Sequence, residues 1–231
     1  MSQQETERLI ILDTEKTGLN PREGHRIVEI GCVVVEDYIP TGENYHVYIN
    51  PERDMPTAAL NVHGLTEEFL RDKPTFSEIV ADFRDFCGDM KLVAHNAEFD
   101  MKFINWEMEN LGFSTYPATR SVDTLSIARR KFPGANNTLD ALCKRFSIDN
   151  SNRVKHGALL DAELLADVYL ELMGGRQTGL GLMSEEKDVS KTNGASLEIT
   201  RSFREPRAHS ASEEELKRHK EFIGKIENNI W

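Results

Sequence analysis

The sequence predicts an α/β fold in which a mixed sheet is flanked by helices. Three short β-branched runs, Leu9–Leu12, Ile27–Val35 and Tyr45–Ile49, come first, broken by turn signals at Gly18, Asn20-Pro21 and Pro40–Gly42. Helical stretches follow at Ser77–Phe86, Ala97–Leu111, Leu139–Phe146 and Leu159–Met173. Strand-like Leu92–Ala94 and a shorter run near Arg120–Val122 lie between those helices. Consecutive strands followed by alternating helices and strands give one sheet with helices on its faces.

The chain has 231 residues, 39% hydrophobic and 29% charged, the composition of a globular protein with one real core. No apolar run approaches the roughly 18 residues needed to cross a bilayer. The start, MSQQETERLI, lacks the basic and apolar regions of a signal peptide. Cys32, Cys87 and Cys143 are far apart and form no metal-ligand spacing, as expected of buried thiols in a reducing compartment. A cytoplasmic protein is expected. The net charge of −11 excludes a protein that coats nucleic acid through bulk positive charge. It leaves room for acidic groups that hold cations.

Residues 1–173 hold 29 of the 39 acids and 18 of the 28 bases, so the whole excess lies there and the rest is neutral. Composition changes at the same point. Gly174, Gly175, Gly179 and Gly181 open a stretch rich in Gly, Ser, Thr and charge, which buries too little apolar surface to offset its ordering entropy. The expected organisation is a domain at 1–173, a flexible linker at 174–212 and an amphipathic helix at 213–231. In that helix Leu216, His219, Ile223, Ile226 and Ile230 recur at helical steps, and Glu213–Glu215 sit at the favourable end of the macrodipole. Isolated short helices are marginal in water, so this one either docks on the domain or binds a partner.

Three pieces carry chemistry. Asp13 and Glu15 follow the run Leu9–Leu12, and in extended chain residues two apart point to the same side. Paired carboxylates repel unless a cation lies between them, although a lone pair of this kind also fits a solvated edge. His95-Asn96-Ala97-Glu98-Phe99-Asp100 comes next, with Asn96 as the expected helix N-cap, Phe99 as a core residue and Asp100 in the first turn. Finally, His156 and Asp161 are five apart at the start of the last long helix, so both can face one cleft. An imidazole beside a carboxylate is the usual general base.

D-x-E, then H-N-x-x-F-D, then H-x-x-x-x-D, in that order, resembles the DEDDh family of 3′ to 5′ exonucleases. Asn61–Leu65, Asp72–Phe76, Asn137–Cys143 and Arg153–Ala162 are similar to members of that family that proofread DNA replication. The resemblance implies a ribonuclease-H-like sheet of five strands with its cleft at the central strand ends. It further implies Asp13, Glu15, Asp100 and Asp161 as ligands of two divalent ions, Mg²⁺ or Mn²⁺, and His156 as the base. Asp13, Thr14, Glu15, His63 and Asp161 would meet the substrate, a DNA 3′ end, whose terminal residue would leave as a nucleoside 5′-monophosphate. One departure is Lys16, where the family commonly has Thr.

Gln177, Leu180 and Leu182 resemble the short motif that bacterial polymerase partners insert into the sliding clamp. By the same resemblance the C-terminal helix would bind the polymerase catalytic subunit. Two other readings compete with a replicative proofreader. A free-standing RNA or single-strand DNA exonuclease of the family has little need of a tethered helix, and a non-catalytic replisome scaffold has no need of all five site residues.

Overall fold

The computed structural model describes residues 7–175 and 211–224. The first segment runs β1 (Arg8–Lys16), β2 (Ile27–Glu36), β3 (Ile39–Tyr48), α1 (Thr57–His63), α2 (Glu67–Leu70), α3 (Phe76–Cys87), β4 (Lys91–Ala94), α4 (Ala97–Asn110), β5 (Ser121–Asp123), α5 (Thr124–Lys131), α6 (Leu139–Phe146) and α7 (Ala158–Met173). The five strands form one sheet in the order β3-β2-β1-β4-β5. β1 pairs antiparallel with β2 and parallel with β4, and β4 pairs parallel with β5, so the sheet is mixed and β1 is its centre.

A central strand covered on both faces reads as a continuous apolar run, and Leu9 to Leu12 is one. Leu9 and Ile11 pack with Val33, Val35 and Val93 against Leu165 and Val168 of α7. Ile10 and Leu12 pack on the opposite face with Phe76 and Phe83 of α3 and Phe103 of α4. The alternation continues past the core. It sends the odd residues Asp13 and Glu15 to the α7 side and the even residues Thr14 and Lys16 to the α4 side.

Gly31 of β2 lies directly opposite Asp13 in the ladder. A Cβ there would overlap the peptide joining Ala158 to Leu159, so the missing side chain lets the start of α7 press onto the sheet beside Asp13.

The structure corrects the sequence reading at several places. Pro40–Gly42 is not a turn but part of β3; the turn is at Asp37 and Tyr38, whose φ values of 48° and 69° suit a two-residue hairpin. Pro40 is tolerated because β3 is an edge strand. Helices α1, α2 and α5 were not expected. They are short, and α5 ends in Arg129, Arg130 and Lys131 rather than in an apolar stripe.

Residues 211–224 belong to a separate unit, which contains α8 (Glu213–Ile223). Its start is fixed by a capping box between Ser212 and Glu215, and Arg218 pairs with Glu214 one turn away at 2.9 Å. Leu216 and Phe222 are exposed on it. Ile226 and Ile230, and Gln177, Leu180 and Leu182 of the expected clamp motif, lie outside the described residues. Among the described residues no helix is long and apolar enough to cross a membrane.

Candidate active site

The C-terminal end of β1 and the N-terminal ends of α4 and α7 meet in one cleft. On the α7 side, Glu15, His156 and Asp161 each offer a ligand atom within 4.8 Å of the others. Asp161 is buried one turn into α7, and His156 is exposed in the loop before it. On the α4 side, Asp100 is buried and its Oδ1 accepts the Thr14 hydroxyl at 2.7 Å. Asp13 stands between the two groups and lines both halves of the cleft.

Asn96 occupies the position before α4, but in a left-handed conformation (φ 70°) and without a capping bond from its side chain. Asp123 caps instead. Its Oδ1 accepts the Asn96 amide at 2.9 Å and the Leu125 amide at 3.1 Å, so one carboxylate at the end of β5 anchors both α4 and α5. No local spacing shows this, because Asp123 lies 27 residues from Asn96. Phe99 packs on the core and also lines the cleft.

His63 closes α1 and is buried. Its Nδ1 accepts the Leu65 amide at 3.0 Å, which leaves the proton of the neutral ring on Nε2. That Nε2 lies near the Lys16 backbone without a hydrogen bond of normal geometry, in the wall of the cleft. Burial pulls the His63 pKa down and keeps the ring a neutral donor.

Two cations already sit among the carboxylates, and neither was given this place by the sequence reading. Arg153 grips Asp161 with two parallel bonds of 2.6 and 2.7 Å and reaches Asp140 at 2.7 Å. Lys16 meets Asp100 Oδ1 at 2.6 Å. The chain distances explain the difference in legibility. Arg153 is eight residues from its partner, readable as a nearby charge, whereas Lys16 is 84 residues from Asp100.

The electrostatics fit a hard divalent cation. Burial, and then the neighbouring Asp100, push the Asp13 carboxyl well above the usual range, against the pull of Lys16. Burial raises Glu15 to about 7, opposed by Lys16 and His156. Burial also raises Asp161, but the Arg153 bonds outweigh it and leave that carboxyl below its ordinary value. Asp13 and Glu15, two clustered carboxylates that resist ionisation in a donor set of oxygens plus one imidazole, are what Mg²⁺ or Mn²⁺ would stabilise; there is no thiolate to favour zinc.

The Glu15 shift has a signed consequence for stability. Its folded pKa, about 7, lies above the ordinary 4.5, so the folded state binds this proton more tightly than the unfolded chain. The destabilisation is full above about 7 and fades as the pH falls towards 4.5. Without divalent ions, the wild type should therefore gain on the order of 3 kcal/mol relative to Glu15→Gln between those limits. Urea denaturation across the range measures it, and parallel profiles for the two proteins would contradict it.

The fold and this cleft define a nuclease of the ribonuclease-H-like type, and comparison with known proteins agrees. The model of the family described as "Exonuclease" matches residues 10–169, and the chain belongs to that family. Two curated relatives carry one particular name, DNA polymerase III subunit epsilon. The protein from Rickettsia felis is 49% identical over 95% of this chain and 96% of its own length. The one from Escherichia coli is 44% identical over 92% and 90%. The chain is thus an epsilon-like 3′ to 5′ exodeoxyribonuclease. Among solved structures, Exonuclease X in complex with 5′ overhanging duplex DNA is 28% identical, with a TM-score of 0.57 over 71% of this chain and 90% of that one. The nuclease domain of 3′hExo, a DEDDh family member bound to rAMP, is 17% identical and shares the fold, with a TM-score of 0.61 over 74% and 94%.

Proposed function

We propose that this chain is the proofreading subunit of a replicative DNA polymerase in the cytoplasm, hydrolysing the 3′-terminal phosphodiester of DNA and releasing nucleoside 5′-monophosphates. The observation that carries this reading is the meeting of Glu15, His156 and Asp161 within 4.8 Å, beside Asp13 and Asp100 in one cleft. Asp13, Glu15, Asp100 and Asp161 would hold two Mg²⁺ or Mn²⁺ ions, whose chemistry there would be to acidify the attacking water and neutralise charge on the departing 3′ oxygen. His156 takes the proton of that water through Nε2. Asp161 orients the ring from the other nitrogen, 3.4 Å away. His63, in the wall of the cleft, would meet the terminal nucleotide. Thr14 holds Asp100, and its place beside Asp13 and Glu15 in the cleft wall puts it next to the same nucleotide. The strand bond breaks between phosphorus and the 3′ oxygen of the preceding residue, and the phosphate leaves with the terminal nucleoside.

Residues 1–173 form the nuclease domain, 174–212 the tether and 213–231 the docking helix for the polymerase catalytic subunit. The exposure of Leu216 and Phe222 on α8 supports the last assignment. Gln177, Leu180 and Leu182 would engage the sliding clamp, and no membrane is involved. Such tethers raise the local concentration of nuclease at the primer end.

The test is degradation of a primer–template with a mismatched 3′ end, with and without Mg²⁺. The expected result is metal-dependent release of mononucleotides, faster from the mismatch than from a paired end, because an unpaired terminus enters the cleft without the cost of unpairing. No metal-dependent release would overturn the reading.

A further inference from the structure

Lys16 is not a surface lysine. Its side chain is only 7% exposed, and its ammonium donates to Asp100 Oδ1 at 2.6 Å and to the Thr14 carbonyl at 2.8 Å. The third side of the ammonium faces the Phe99 ring, 4.4 Å from its centroid, with the Phe103 ring 5.9 Å away. The position follows from the parity of β1, which turns Thr14 and Lys16 towards α4. A charge buried in this way is held by its partner, since an unpaired buried ammonium is costly.

Asp100 Oδ1 therefore receives two donors, the Thr14 hydroxyl and the Lys16 ammonium, and only Oδ2 remains for another cation. A divalent ion on that oxygen would face a fixed positive charge across the same carboxylate. Two cations on one carboxylate repel, and the repulsion is strong where water is excluded.

We propose that Lys16 is a tethered competitor for the divalent ion at Asp100: it holds this carboxylate in the metal-free enzyme and weakens binding of a divalent ion to it. The proposal rests on the metal-dependent reading of the cleft. It makes Lys16 a positioning residue, which acts through Asp100 and sets the free metal concentration at which the nuclease becomes complete. Arg153 clamps Asp161 on the opposite side in the same manner, but its guanidinium is also shared with Asp140 and His156, whereas the Lys16 ammonium has Asp100 as its one carboxylate partner among the described residues.

The experiment is a titration of the full chain with Mn²⁺, following free ion by electron paramagnetic resonance, for wild type, Lys16→Met and Lys16→Thr. Methionine keeps the length of the side chain against Phe99 and Phe103 and removes only the charge; threonine replaces it if the methionine variant does not fold. The weaker Mn²⁺ site should tighten about tenfold in the variants, the equivalent of removing one buried charge-assisted bond. The metal-free variants should also melt below wild type, with the difference erased by Mg²⁺, because Asp100 and Asp13 then repel with nothing between them. Mn²⁺ binding by all three chains with unchanged affinities would overturn the proposal and leave the metal site standing. Failure of every chain to bind Mn²⁺ would overturn both.

Discussion

Asp13→Asn should lower exonuclease turnover about 10³-fold in saturating Mg²⁺, while the metal-free protein becomes at least as stable as wild type near neutral pH. The two halves of this expectation have one cause. Asp13 stands between the Asp100 and Asp161 sides of the cleft, and its carboxyl resists ionisation because burial and Asp100 both oppose the charge. In the absence of cations, then, the charged group is a local liability, and an isosteric amide relieves it. With cations present the sign reverses, because a neutral amide is a poor ligand for a hard ion. Losing about 4 kcal/mol of transition-state charge stabilisation is equivalent to roughly 10³ in rate. Single-turnover degradation of a single-stranded oligonucleotide, paired with thermal melts in chelator and in Mg²⁺, measures both. A variant that melts lower than wild type in chelator, or that keeps more than a tenth of the activity, would show that Asp13 is not a metal ligand held at electrostatic cost.

Much of this site is written in local order. The apolar run of β1 places Asp13 and Glu15, the helix that begins at Ala158 places Asp161, and strand alternation assigns each β1 residue to one face of the sheet. What local order does not carry is the partner of each charge. Asp123 caps α4 from the end of another strand, and Lys16 finds Asp100 across 84 residues. Both depend on the parallel pairing of β1, β4 and β5, which brings three strand ends together only after the sheet has formed. The same reasoning covers Gly31. In the sequence it is one glycine inside a strand; in the fold it is the place where α7 reaches the sheet. The misplaced turn has a local origin, since Pro40 and Gly42 are turn residues by composition but lie in β3, an edge strand, where a proline and a break in register are tolerated.

His156→Ala should lower turnover by about 10² to 10⁴, the usual cost of deleting a positioned base, and should abolish the acid limb of the pH–rate profile. The His156 ring is exposed enough to meet water, and its Nδ1 has two neighbours that make opposite demands. Asp161 Oδ2, 3.4 Å away, calls for a proton on Nδ1, which leaves the Nε2 lone pair free to accept one from water. Arg153 Nη2, 2.9 Å away, calls for the lone pair on Nδ1 and would put the proton on Nε2. Only the first arrangement makes the ring a base. The bond to Asp161 also raises the His156 pKa above 6.5, against burial and the Arg153 charge. Because the base must be neutral to act, activity rises with pH as the ring loses its proton, so the wild type should show an acid limb set by His156. Replacing Arg153 by Leu removes a positive neighbour of the ring, and by that route should move the limb further up in pH. It also frees both oxygens of Asp161, so a change in turnover alone does not separate the two roles; the position of the limb does. An acid limb that persists unchanged in His156→Ala would assign the titration, and the role of base, to another group in the cleft.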